Sequence, residues 1–142
     1  MESSSANASQ SRVIPSLLLL VGVWGLVAPY AGTAMGLVIP GLQPKVEVVD
    51  HVVPGLVIVP VALYAMFSGR VPFVGSLAAV LAAFWMTATH VLLLRDAGRN
   101  LVSWGTALWH SAPGVLGLII AGAMAVKAYR EAPSSADEAG QA

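Results

Sequence analysis

The residues in this sequence whose types and spacing point to chemistry are three histidines. His51 opens the run His51-Val52-Val53-Pro54-Gly55, and His110 opens the matching run His110-Ser111-Ala112-Pro113-Gly114. His90 closes a long apolar stretch between them. If those stretches alternate across a bilayer, all three imidazoles fall near one membrane face. Imidazoles grouped in that way could bind zinc or copper or ligate a haem in a bundle core, and neutral histidine also suits a proton relay. His51, His90 and His110 are therefore the candidate metal ligands. The competing reading makes each an interfacial residue satisfied by water, a headgroup or a helix entrance, because no paired-histidine or His–Glu spacing and no methionine cluster backs a metal. Asp50 precedes His51 and can either cap a helix or orient an imidazole, with capping the simpler role.

The elements that carry these residues read as membrane helices. After a polar stretch, residues 1–12, expected as a disordered tail, the first helix starts near Val13 and reaches Ala28-Pro29-Tyr30, where Pro29 should kink or end it. Glu2, in place of a basic cluster, and the length of the apolar run favour a retained helix over a cleaved signal peptide. Residues 31–39 remain open between continuation and fold-back. Lys45, Glu47 and Asp50 form a polar connection into a second helix over about 50–67, with Asp50 at its N-cap and Pro54 in its first turn. Pro60 then falls mid-span as a kink.

A third helix follows Pro72 and runs to about Leu94, and its small residues, among them Gly75, Ser76, Ala79 and Ala83, suit close packing in lipid. Arg95 to Asn100 is the most polar loop. The fourth helix begins within residues 101–109 and reaches about Ala128, with Trp104, Trp109 and Tyr129 as interfacial aromatics. Residues 129–142 are expected as a second disordered tail. The transmembrane domain is thus 13–128, with repeat units at about 13–68 and 70–128.

Composition agrees. Of 142 residues, 57% are hydrophobic and 10% charged, whereas soluble domains carry about 25% charged residues. Mean hydropathy is +0.79. Seven basic and seven acidic side chains cancel, which leaves no basic patch for nucleic acid. Cysteine is absent, so disulfides, thiolate metal sites and cysteine nucleophiles are excluded. No charged side chain is expected deep in a span, and ion pathways generally place one there. Ser76, Thr87 and Thr89 are the deepest polar groups, and such hydroxyls usually bond the backbone. Arg12, Arg70, Lys127 and Arg130 on one side against Lys45, Arg95 and Arg99 on the other favour cytoplasmic termini.

Aligning His51 with His110 brings the two halves into phase, as a duplicated helical hairpin would. Trp24-Gly25-Leu26-Val27-Ala28-Pro29-Tyr30, followed by Pro54-Gly55 early in the next helix, resembles the SPW repeat of small bacterial and archaeal integral membrane proteins. Ala28-Pro29-Tyr30 is a relaxed form of that motif. In the second half His90 stands where proline is expected, while Trp109-His110 before Pro113-Gly114 resembles the start of the family's second helix. The resemblance covers roughly residues 13–128 and implies paired membrane helices without an established activity. The expectation is an all-α, four-span membrane protein built as two tandem hairpins, a non-enzymatic structural or accessory subunit of the cell membrane. No cofactor is expected. Its partners would be the lipid bilayer, other membrane proteins or a second copy. A metal- or haem-binding protein and a small transporter are the alternatives.

Overall fold

The computed structural model describes residues 3–39, 41 and 44–131, with side chains from residue 12 onward and, past the first connection, from residue 45. Five helices follow in order: α1 (Ser3–Ala34), α2 (Pro44–Ser68), α3 (Phe73–His90), α4 (Leu92–Gly98) and α5 (Trp104–Arg130). Four segments are long and apolar enough to cross a membrane: Arg12–Ala34, Lys45–Ser68, Phe73–Gly98 and Trp104–Arg130. The expected all-helical, four-span architecture is what the chain adopts.

The outward surface is apolar, with Leu20, Phe67, Val74, Leu81 and Ile119 all largely exposed. Such a coat is ruinous in water and ordinary against lipid tails. Inside, each helix shows a stripe at helical spacing. On α3 the buried positions are Ser76, Ala79, Ala83, Met86 and His90, alternately three and four residues apart. A stripe at this period faces one neighbour along its whole length. His90 is therefore the last step of a packing ridge, aimed inward by the same register that buries Ala79 and Ala83.

α1 packs most extensively on α2, and α3 on α5; α2–α3 and α1–α5 contacts close the ring. Among the described residues the diagonal pairs α1–α3 and α2–α5 make no close backbone approach. Two glycines set the tight pairs. A Cβ at Gly55 would lie 3.0 Å from the Gly22 carbonyl oxygen on α1, and one at Gly114 would lie 2.7 Å from the Thr87 nitrogen on α3. Hydrogen at these positions lets the backbones meet.

Several boundaries differ from the sequence reading. α1 is helical from Ser3, so the backbone of most of the expected tail is ordered as helix, and residues 1–2 lie outside the described part. Pro29 does not end α1. The helix continues to Ala34 and stops at Gly36 (φ +73°), where Leu37 N–H donates to the Gly32 carbonyl at 2.8 Å and Gly36 N–H to that of Thr33 at 3.2 Å. That hydrogen-bond pair is a Schellman stop.

α2 begins at Pro44, two turns before the expected start. Pro54 consequently lies inside α2, not in its first turn, and Pro113 lies inside α5. There each leaves the carbonyl four residues back without its usual donor. The third span breaks at Val91 and resumes as α4, which takes up most of the expected polar loop. Ser103 caps α5 by accepting from the Thr106 N–H at 3.0 Å. Tyr129 and Arg130 belong to α5, and the remainder of the expected C-terminal tail, 132–142, lies outside the described residues.

Candidate functional site: a buried histidine–carboxylate centre

The early start of α2 changes what lies inside the bundle. Glu47 sits three residues past Pro44, about 5 Å along an axis that rises 1.5 Å per residue. Asp50 and His51 follow one turn further on. Counted from the same end, His51, His90 and His110 all lie about 10 Å in. His51 and His110 are fully buried, His90 is 1% exposed and Glu47 is 6% exposed. Glu47 and Asp50, expected in a polar connection before the second helix, instead lie in the first two turns of α2 and are buried. Helix packing encloses the histidines as well.

The three rings meet. Their centroids are 4.3 Å apart for His51–His90, 5.4 Å for His51–His110 and 5.8 Å for His90–His110. Each Nδ1 turns back on its own helix. His51 Nδ1 is 3.2 Å from the Glu47 carbonyl, His110 Nδ1 is 2.8 Å from that of Thr106, and His90 Nδ1 is 3.1 Å from that of Met86. A carbonyl oxygen only accepts, so Nδ1 of His51 and of His110 must carry hydrogen. His90 has more freedom, because the Thr89 hydroxyl also lies 2.9 Å from its Nδ1.

That assignment fixes the proton count at the contact between His110 Nε2 and Glu47 Oε1, which are 2.8 Å apart. With Nδ1 already protonated, Nε2 and Oε1 must share one further proton. The pair is then either imidazolium with carboxylate or neutral imidazole with carboxylic acid, and both forms have no net charge. Without that proton a lone pair and a carboxylate would face each other at hydrogen-bond distance. The bond crosses the α2–α5 diagonal, where the helix backbones do not meet. Ser111 adds a second tie by donating to the His90 carbonyl at 2.8 Å.

His51 Nε2 is buried without a hydrogen-bond partner among the described residues, and so is Trp24 Nε1. An unmade buried hydrogen bond costs about 1–3 kcal/mol. Asp50 is not a helix cap, since α2 has already begun. Its Oδ1 accepts from the Trp85 indole at 3.2 Å and ties α2 to α3. Trp109 also departs from expectation: it turns inward, with its ring 5.4 Å from that of Trp24, and donates to the Ala28 carbonyl at 3.2 Å. Trp104 and Tyr129 stay exposed. Ser76, Thr87 and Thr89 donate to backbone carbonyls one turn back, as expected.

The sequence-proposed ligands thus come together. Among the described residues, however, no three His, Asp or Glu groups are arranged to hold a metal ion. Rings in mutual contact also leave no slot for a macrocycle between them. Glu47, which sequence reasoning passed over, carried a usable signal: it precedes His51 by four residues, which puts carboxylate and imidazole on one helix face.

A crevice of about 260 Å³, lined by Pro29, Tyr30, Thr33, Glu47 and Val48, opens beside the centre. A larger hollow of about 480 Å³ between α2 and α3 is lined by apolar side chains and Trp85 and includes no member of the centre. No family model matches this chain, and no curated protein or solved structure shows significant similarity to it.

Proposed function

We propose that this chain is a non-enzymatic, multi-pass membrane protein of the SPW-repeat type, a structural or accessory subunit of the cell membrane whose two helix pairs are tied by a protonated His–Glu contact. The observation that carries this reading is the 2.8 Å contact between Glu47 and His110. It joins two helices whose backbones do not approach each other, beside the 5.4 Å contact of the His51 and His110 rings, and it needs a proton to form. Ionisable groups inside a membrane bundle are costly, and they mark functional positions.

Duplication of a helical hairpin is supported by parallel roles in the halves. His51 and His110 each bond a carbonyl one turn back, and Gly55 and Gly114 each meet the first helix of their own pair. The SPW assignment rests on the residues from Trp24 to Tyr30 and on the Pro-Gly pairs. The basic residues flanking the spans support cytoplasmic termini. The bilayer is the immediate partner, with other membrane proteins or a second copy as the assembly partners.

Copurification in mild detergent tests the accessory role, and a chain recovered alone and monomeric would contradict it. Unfolding of the Glu47→Ala variant tests the tie, and a stability equal to that of the native chain would contradict it. A metal-binding role for His51, His90 and His110 would require their donors to rearrange, and transport would require a polar path beyond the histidines.

A further inference from the structure

We infer that the crevice lined by Pro29, Tyr30, Thr33, Glu47 and Val48 is a proton-entry site, through which the buried centre exchanges protons with the aqueous phase on the side of the α1–α2 connection and with no other. The inference rests on the protonated tie proposed above and adds the direction from which it is reached. Glu47 faces both ways: it lines the crevice, and its Oε1 meets His110 Nε2 at 2.8 Å. The crevice lies in the first turn of α2 and against the last turns of α1, at the end of the bundle that carries the α1–α2 connection. The Thr33 hydroxyl at its wall donates to the Pro29 carbonyl at 2.7 Å, which leaves its oxygen lone pairs able to accept from water. On its inner side the Glu47 carboxyl meets His110 Nε2, so a proton arriving from the crevice reaches the shared contact directly.

The other direction is sealed. From His51 to the far end of α2 is about 25 Å along the axis. Leu18, Ile58, Ala62, Ala83, Met86 and Met124 close the core over that length, all buried to 1% exposure or less. Among the described residues the one buried hydroxyl toward the far end, Ser76, is engaged with the Pro72 carbonyl. The groups that face the centre are accounted for helix by helix. α1 contributes the Tyr30 phenol at the crevice, α2 contributes Glu47, Asp50 and His51, α3 contributes His90, and α5 contributes His110. On α4, Arg95 and Asp96 pair with each other at 3.5 Å. Lys45 at the start of α2 is exposed.

The natural absence of cysteine makes a direct test practical. Single-cysteine Thr33→Cys, Val48→Cys, Arg99→Cys and Ser68→Cys variants of the full chain are placed in sealed vesicles and treated with a membrane-impermeant, bulky thiol reagent. Arg99→Cys reports the proposed entry side and Ser68→Cys the opposite side. The expected result is that Thr33→Cys and Val48→Cys label in the same vesicle population as Arg99→Cys. Modification of Glu47 by a water-soluble carbodiimide, which attacks protonated carboxyls, is expected to be lost once Thr33→Cys or Val48→Cys is labelled and kept when Ser68→Cys is labelled. Labelling with the Ser68→Cys population, or undiminished Glu47 modification after either crevice cysteine is blocked, would overturn the inference. Two crevice positions guard against one variant failing to fold. If blocking works but Glu47→Ala is as stable as the native chain, the tie fails while the entry site stands.

Discussion

Replacing Glu47 with alanine removes the one side chain that satisfies His110 Nε2. His110 is fully buried, and its Nδ1 hydrogen is committed to Thr106, so the imidazole cannot turn to another partner. Leaving that nitrogen unpaired costs about 1–3 kcal/mol. If the pair is ionised in the native state, the cost of breaking it rises toward about 3–5 kcal/mol. Glu47→Gln behaves differently. The amide N–H can donate to the Nε2 lone pair without any added proton, so the contact survives at a cost below about 1 kcal/mol.

Equilibrium unfolding in detergent micelles, followed by near-ultraviolet circular dichroism, reads both costs. Glu47→Ala should lose about 1–3 kcal/mol and Glu47→Gln less than about 1 kcal/mol. An alanine variant within about 0.5 kcal/mol of the native chain, the usual range for surface changes, or a glutamine variant as unstable as the alanine one would refute the reasoning.

Other sites give independent outcomes in the same unfolding assay. Gly114→Ala places a methyl group 2.7 Å from the Thr87 nitrogen, on backbone that cannot yield by a rotamer change, and should cost about 1–3 kcal/mol as overpacking. Gly122→Ala, where a Cβ meets nothing within 4 Å, is the matched control and should be nearly neutral. Trp85→Phe removes the indole that donates to Asp50 and should cost about 1.5–3 kcal/mol, the range for hydrogen bonds to charged groups. Ser103→Ala removes the cap of α5 and should cost about 0.5–2 kcal/mol.

The fold was largely legible because lipid imposes long apolar runs, and four such runs separate cleanly here. The shared membrane face of His51, His90 and His110 followed from alternation of the spans alone. Their burial did not. It depends on where α2 begins, and Lys45, Glu47 and Asp50 have the look of a connection to any reading based on polarity. The prolines misled in the same way. Pro29 reads as a kink or an end and Pro54 as a first-turn residue, yet transmembrane helices tolerate proline when neighbours satisfy the freed carbonyls. The Glu47–His110 bond spans 63 residues and leaves no local trace in the sequence. The i, i+4 spacing of Glu47 and His51 was the available clue, and it lay inside what was read as a loop. Trp109 shows the opposite limit, because an aromatic near a span end suits a membrane belt and an inward stack equally well.

The most direct test of the central claim is nitrogen NMR of the chain labelled with 15N-histidine in detergent micelles, which reports which ring nitrogens carry hydrogen. The account predicts protonated Nδ1 in His51 and His110, a hydrogen-bonded Nε2 in His110 whose signal changes in Glu47→Gln, and an Nε2 in His51 without a protein partner. Ordinary solvent-exposed tautomer mixtures at all three histidines, indifferent to Glu47→Gln, would contradict it.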